Sequence, residues 1–107
     1  MKLGYSSEIN IGTLYKGVEK SISVPLKNTS DKKLEIFART SCGCSAPTPN
    51  RFILEQGQEQ SIEVKITKTT PTESGFVNLT YTIEKEDDIN VLPISPLDKT
   101  KLTFNVV

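Results

Sequence analysis

The sequence predicts an all-β fold, a sandwich of antiparallel strands. Three observations predict it. Apolar residues recur with a period of two rather than 3.6. Turn-forming residues interrupt these runs at short intervals. No segment carries the apolar spacing of an amphipathic helix.

The elements follow in order. Tyr5, Ile9 and Ile11 open the pattern. Ser21–Leu26 reads SISVPL and puts Ile22, Val24 and Leu26 on one face. Leu34 and Ile36 continue it in KKLEIFART. Ser61–Thr67 reads SIEVKIT, with Ile62, Val64 and Ile66 on one face. Gly75–Glu84 reads GFVNLTYTIE, with Val77, Leu79, Tyr81 and Ile83 on one face. Thr100–Val107 reads TKLTFNVV, with Leu102, Phe104 and Val106 on one face. Each run is a half-buried strand. Such alternation suits antiparallel sheets packed on one side and wet on the other. Pro25 lies inside a run and cannot donate to a ladder, so its strand is expected at an edge or bulged there.

Between the runs stand Gly12 and Gly17, NTSDKK at 28–33, Pro47 and Pro49, Gln56-Gly57-Gln58, and Thr70-Pro71. The stretch EKEDDINVLPISPLDK begins at Glu84, is charged, and then carries Pro93 and Pro96. It reads as a long loop over 84–98, and loops that long are usually functional or mobile. About seven strands in a chain of 107 residues match a single immunoglobulin-like antiparallel β-sandwich over 1–107.

The 13 basic and 13 acidic residues are interspersed and sum to zero net charge. Nucleic-acid binding needs a concentrated positive face, and a polybasic membrane anchor needs a basic block, so neither partner is expected. The opening MKLGYSSEINIG has no apolar run after its lysine, so no export signal is read. No stretch reaches the ~18 apolar residues of a membrane helix. The expected location is cytoplasmic or virion-associated, and periplasmic only if a signal has been removed.

The most unusual stretch is TSCGCSAPTP, Thr40–Pro49. Cys42 and Cys44 flank Gly43, they are the only cysteines, and there is no histidine. A structural zinc site wants four ligands, and this motif supplies two. Paired thiolates do bind Cu(I), so Cys42 and Cys44 are the metal candidates, although no metal or cofactor is expected. A disulfide between them needs Gly43 to bend the chain, and the ring is strained and easily reduced. The third reading is structural: two small apolar side chains at a strand end, with Gly43 allowing a bulge and SAPTP leading to the other sheet. The structural reading is favoured, with the redox chemistry latent.

Other features carry less. Asn28-Thr29-Ser30 and Asn78-Leu79-Thr80 match the glycosylation triplet, and Asn28 is better read as a turn former. Glu84, Glu86, Asp87 and Asp88 lack the spacing of a calcium loop and read as a solvated hairpin tip. Tyr81 and Phe104 alternate with aliphatic residues and read as core. No histidine is present to activate a serine, and no glycine-rich loop to cradle a phosphate, so no enzyme is expected.

Four pieces occur in order: IGTLYKGV at 11–18, NTSDKKLEI at 28–36, TSCGC at 40–44 and ILEQGQEQSIEVKI at 53–66. Together they resemble the bacterial immunoglobulin-like family of unknown function whose hallmark is a strand, a turn and then SCGC-T. That family is similar to the Hydin-type and major-sperm-protein-type sandwiches. The resemblance covers roughly residues 9–84, with Cys42, Gly43, Cys44 and Gly57 at matching positions. Ser45 stands where the family usually has threonine, and the export signal common in the family is absent from this sequence.

These readings converge on a non-catalytic structural or interaction module with protein partners, within a larger homo- or hetero-assembly. The specific expectation is an accessory, decoration-type component of a phage capsid or tail, by architectural resemblance. The alternative is an envelope protein handling copper or thiols through Cys42-Gly43-Cys44. A carbohydrate-binding module is third, because no row of exposed aromatics is evident. The expected contact surfaces are the 84–98 and 40–49 loops.

Overall fold

A computed structural model describes residues 3–41, 45–90 and 98–107. Strands form where the period-two runs lie. They are β1 (Leu3–Gly4), β2 (Glu8–Leu14), β3 (Lys20–Asn28), β4 (Leu34–Thr40) and β5 (Ser45–Thr48). There follow β6 (Arg51–Leu54), β7 (Glu59–Ile66), β8 (Thr72–Glu86), β9 (Ile89–Asn90) and β10 (Asp98–Val106). Among the described residues no helix is long and apolar enough to cross a membrane.

Two sheets stack. One runs β1-β3-β7-β5; the other runs β2-β10-β8-β4-β6, with β9 added beside the end of β8. Alternation decides the faces. On β7, Ile62, Val64 and Ile66 are buried while Ser61, Glu63 and Lys65 are exposed. These buried side chains, with Val24 and Leu26 of β3, meet Leu34, Ile36, Val77, Leu79, Tyr81 and Leu102 from the opposite sheet. Burial of each such aliphatic side chain stabilises by about 1.5–3 kcal/mol, so this apolar layer is what chiefly holds the sheets together.

Among the described strands the pairing is antiparallel with one exception: β10 and β2 are parallel. The cause is the path of the first strand. Its start, β1, pairs with β3 in one sheet, and its continuation, β2, pairs with β10 in the other. The chain enters by bridging the two layers and closes one side of the sandwich.

Pro25 sits opposite Ser61 of β7. The Asn28 N–H points at β7, donating to the Gln58 carbonyl; by alternation the position of Pro25 points away. On that side β1 reaches only Lys27 and Asn28, so Pro25 occupies a locally open edge, as its chemistry requires.

Two sequence expectations change. Ten strands occur among the described residues rather than about seven. The additions are short, β1 and β9 having two residues and β5 and β6 four, so their alternation has little length in which to show. The second change concerns the charged stretch. The expected loop from Glu84 is instead a continuation of β8 to Glu86, a tight turn, and β9. Asp87 and Asp88 make that turn with φ of 48° and 67°, and Lys33 fixes it. The Asp87 N–H donates to the Lys33 carbonyl at 2.9 Å, and the Lys33 N–H donates to Asp87 Oδ1 at 2.8 Å. The remainder of the expected loop, 91–97, lies outside the described residues.

Candidate functional site

The outward face of the six-stranded sheet carries side chains that alternation leaves unburied. On β8 these include Phe76, Asn78 and Thr80; on β10, Lys99, Lys101 and Thr103. Register brings them together. Lys101 stands opposite Asn78 on one side and Glu8 on the other, and Thr103 opposite Phe76. The result is a shallow groove of about 520 Å³ lined by Ser7, Glu8, Phe76, Asn78, Lys99 and Lys101.

Phe76 is 56% exposed, and the Lys101 ammonium sits 4.9 Å from its ring centroid. Such a contact is worth about 0.5–1 kcal/mol at an exposed site. Farther along the face, Phe37 of β4 lies under Arg51, whose Cζ is 4.5 Å from the ring centroid. The Arg51 guanidinium also pairs with Glu84 at 3.3 Å. Phe37 stands opposite Thr82, about 20 Å along β8 from Phe76 at ~3.3 Å per residue. The two aromatics therefore form no single platform for a sugar chain.

A second, polar hollow of about 230 Å³ adjoins β10, lined by residues that include Asn10, Glu73, Ser74, Thr103 and Asn105. Gly75 and Phe104 line it as well.

Cys42, Gly43 and Cys44 lie outside the described residues. What precedes them is fixed to the groove: the Ser41 N–H donates to the Asn78 carbonyl at 2.9 Å, and the Asn78 N–H donates to Ser41 Oγ at 3.0 Å. The strands on either side belong to different sheets, β4 to the six-stranded and β5 to the four-stranded one.

The other sequence candidates are placed as follows. Asn28 is fully buried. Its Nδ2 donates to the carbonyls of Lys32 and Leu54 at 2.7 and 2.9 Å, and its Oδ1 accepts from Ser30 N–H and Oγ–H at 2.9 and 2.7 Å. Both amide hydrogens are used, so the nitrogen a glycan needs is closed, and Asn28 is the turn former expected. Two carboxylates of the charged tip turn to cations, Glu84 to Arg51 and Asp88 to Lys33 at 3.0 Å. The hydrogen bond from Lys33 to Asp88 and the charge of that carboxylate raise the Lys33 pKa. Tyr81 and Phe104 are core, at 1% and 6% exposure. Tyr5 packs on Tyr81 with ring centroids 5.1 Å apart and donates to Asp98 Oδ1 at 2.8 Å. Burial, then the bond to Asp98, raise the Tyr5 pKa.

Sequence reasoning misses Phe76 and Phe37, although both are legible. Each stands in the polar phase of its strand, Phe76 with Asn78 and Thr80, Phe37 with Glu35 and Arg39. An aromatic in the outward phase is the available signal.

Known structures share this architecture at low sequence identity. The PapD-like domain of human CEP192 superposes with a TM-score of 0.69 at 10% identity, covering 99% of this chain and 85% of that one. The E. coli chaperone DraB gives 0.71 at 15% identity, covering 97% of this chain and 54% of its own. SSP-19, an MSP-domain protein of Caenorhabditis elegans, gives 0.59 at 12% identity, with 89% and 92% covered. These likenesses show the fold, an immunoglobulin-like β-sandwich. A search of curated sequences returns no match. Residues 4–95 match the family described as protein of unknown function DUF1573, and the chain belongs to that family.

Proposed function

We propose that the chain is a non-catalytic protein-interaction module that holds its partner on the outer face of the six-stranded sheet. The observation that carries this reading is Phe76. A large aromatic is held 56% exposed at a groove whose rim is Lys99, Lys101, Asn78 and Glu8. Aromatic rings are enriched in the cores of interfaces, where a few residues carry most of the affinity. The two lysines suit a partner segment carrying carboxylates beside an apolar side chain. The larger assembly proposed is of the decoration type, as on a phage capsid or tail; small size and all-β architecture are what support that choice.

The test is the native mass of the untagged protein from its own source, with the co-isolated chains quantified. A fixed ratio to one partner, lost in Phe76→Ala with Lys101→Ala while the melting temperature holds, is the expected result. A free monomer, or a complex indifferent to those substitutions, overturns the reading. Copper or thiol handling has the Cys42–Cys44 spacing behind it; Cu(I) uptake that Cys42→Ser abolishes is the result it requires.

A further inference from the structure

A sheet edge exposes a row of backbone donors and acceptors, and proteins usually blunt it. Three of the edges among the described residues are blunted. Beside β1, β3 carries Pro25. The outer strand β5 carries Pro47. On β2 the register against β10 skips Ile11, a bulge that interrupts the edge, and the Gly12 N–H is taken by Asn10 Oδ1 at 2.8 Å. The edge strand β6 has none of these devices. Its sequence is RFIL, and Ile53 is 52% exposed.

The outward groups of β6 can be assigned. The Ala38 N–H donates to the Asn50 carbonyl at 2.7 Å, so Asn50 is bonded toward β4. Alternation then turns the N–H and C=O of Phe52 and Leu54 toward β4, and those of Arg51 and Ile53 outward. No other described strand lies beyond them.

We propose that β6 pairs antiparallel with β6 of a second copy of this chain, about a two-fold axis at Phe52. This inference stands apart from the binding of a partner on the Phe76 face. The outward groups fit the symmetry: Arg51 of each copy meets Ile53 of the other in a hydrogen-bonded pair, and Phe52 meets Phe52 in the non-bonded pair between them. The side chains fit as well. Glu35 stands opposite Ile53, and Phe37 opposite Arg51, within one copy. Across the junction each row reads Glu35, Ile53, then Arg51 and Phe37 of the second copy. The Arg51 stem covers Ile53, with an opposite charge, Glu35, one strand beyond. A free peptide fits this edge less well. Each of its residues costs about as much to order as one backbone hydrogen bond returns, whereas a second copy brings its strand already ordered.

Sedimentation equilibrium from micromolar to millimolar protein tests the proposal. A closed dimer is expected, with the Arg51 and Ile53 amides protected from hydrogen exchange only where the dimer is populated. Ile53→Lys keeps the monomer folded, because the introduced ammonium faces Glu35 within its own copy, yet it also faces Arg51 of the other copy. It should weaken the dimer by more than about tenfold. Adding Arg51→Glu restores an opposite-charge pair and the dimer. A monomer at millimolar concentration, an open-ended aggregate, a dimer indifferent to Ile53→Lys, or no recovery in a folded double variant each overturns the proposal.

Discussion

The Tyr81 hydroxyl lies 2.6 Å from Thr100 Oγ1, and both side chains are buried. Thr100 Oγ1 itself donates to the Ser6 carbonyl at 2.7 Å, so Tyr81 supplies the proton of the shorter bond. This relay crosses from β8 through β10 to the segment joining β1 and β2. It ties the bridging first strand to the middle of the larger sheet. Burial is the largest cause that pushes the Tyr81 pKa up to about 12.

Stability should therefore fall at alkaline pH. The folded pKa is above the unfolded value of 10.0, so the folded state holds the proton more tightly. Tyr81's contribution is fully present below about pH 10 and is lost as pH rises toward about 12. The loss is about 3 kcal/mol if the whole window is crossed. Denaturant melts from about pH 8 upward measure it. Tyr81→Phe should lose about 1 kcal/mol at pH 8 and flatten the alkaline slope. Equal slopes in the two proteins contradict the assignment.

Asn28 predicts a larger effect in a single residue. Its amide bonds at once to the turn after β3, through Ser30 and Lys32, and to the end of β6, through Leu54. Its backbone carbonyl accepts from the Gly57 N–H at 3.1 Å, in a turn that Gly57 makes with φ of 76°. Asn28→Ala should cost about 2–4 kcal/mol, because it strands buried polar groups as well as deleting bonds. Asn28→Asp should cost more, since it aims an acceptor at two carbonyls. Chemical denaturation ranks the variants, and an Asn28→Asp protein as stable as the parent refutes the hydrogen-bond assignment.

Gly75 meets the Phe104 ring directly. A Cβ built at position 75 falls 2.5 Å from Phe104 Cε2, below any contact real atoms adopt. Gly75→Ala must push the ring out of place and should cost about 1–3 kcal/mol. Replacing the ring should absorb the clash, so Gly75→Ala in a Phe104→Leu background should cost less. A double-mutant cycle gives the coupling; additive effects mean the ring is free to move aside.

The sandwich was legible because its long strands keep strict alternation over six or more residues, as in Val77, Leu79 and Tyr81 of β8. The short strands were not. β5 and β6 gain their identity from pairing with β7 and β4, and two to four residues of sequence do not display a period. The charged tip misled for another reason. Its acidic residues and the prolines beyond it suggested a loop, but two aspartates in the left-handed region close a tight turn that Lys33 holds. Asn28 reads as a turn residue, yet its reach to Leu54 spans 26 positions and has no local signature. The groove was half visible, since Phe76 stands in the polar phase, while its rim depends on the register of β10 against β8 and β2.

The register sets a final contrast between two phenylalanines. Phe76 pairs with Thr103 on the outer face, and the next residue, Phe104, pairs with Gly75 on the inner face. One ring is 56% exposed and the other 6%. Chemistry is held constant and only the face differs. Phe104→Ala should open a cavity in the core and cost about 3–5 kcal/mol. Phe76→Ala removes a ring already in water and should change stability by no more than about 0.5–1 kcal/mol, the Lys101 contact included. Thermal melts of the two variants side by side decide the matter. A large loss for Phe76→Ala places that ring in the structural core and removes it from any binding face. A small loss leaves exposure without a stabilising purpose, and the ring is then available to a partner without weakening the fold.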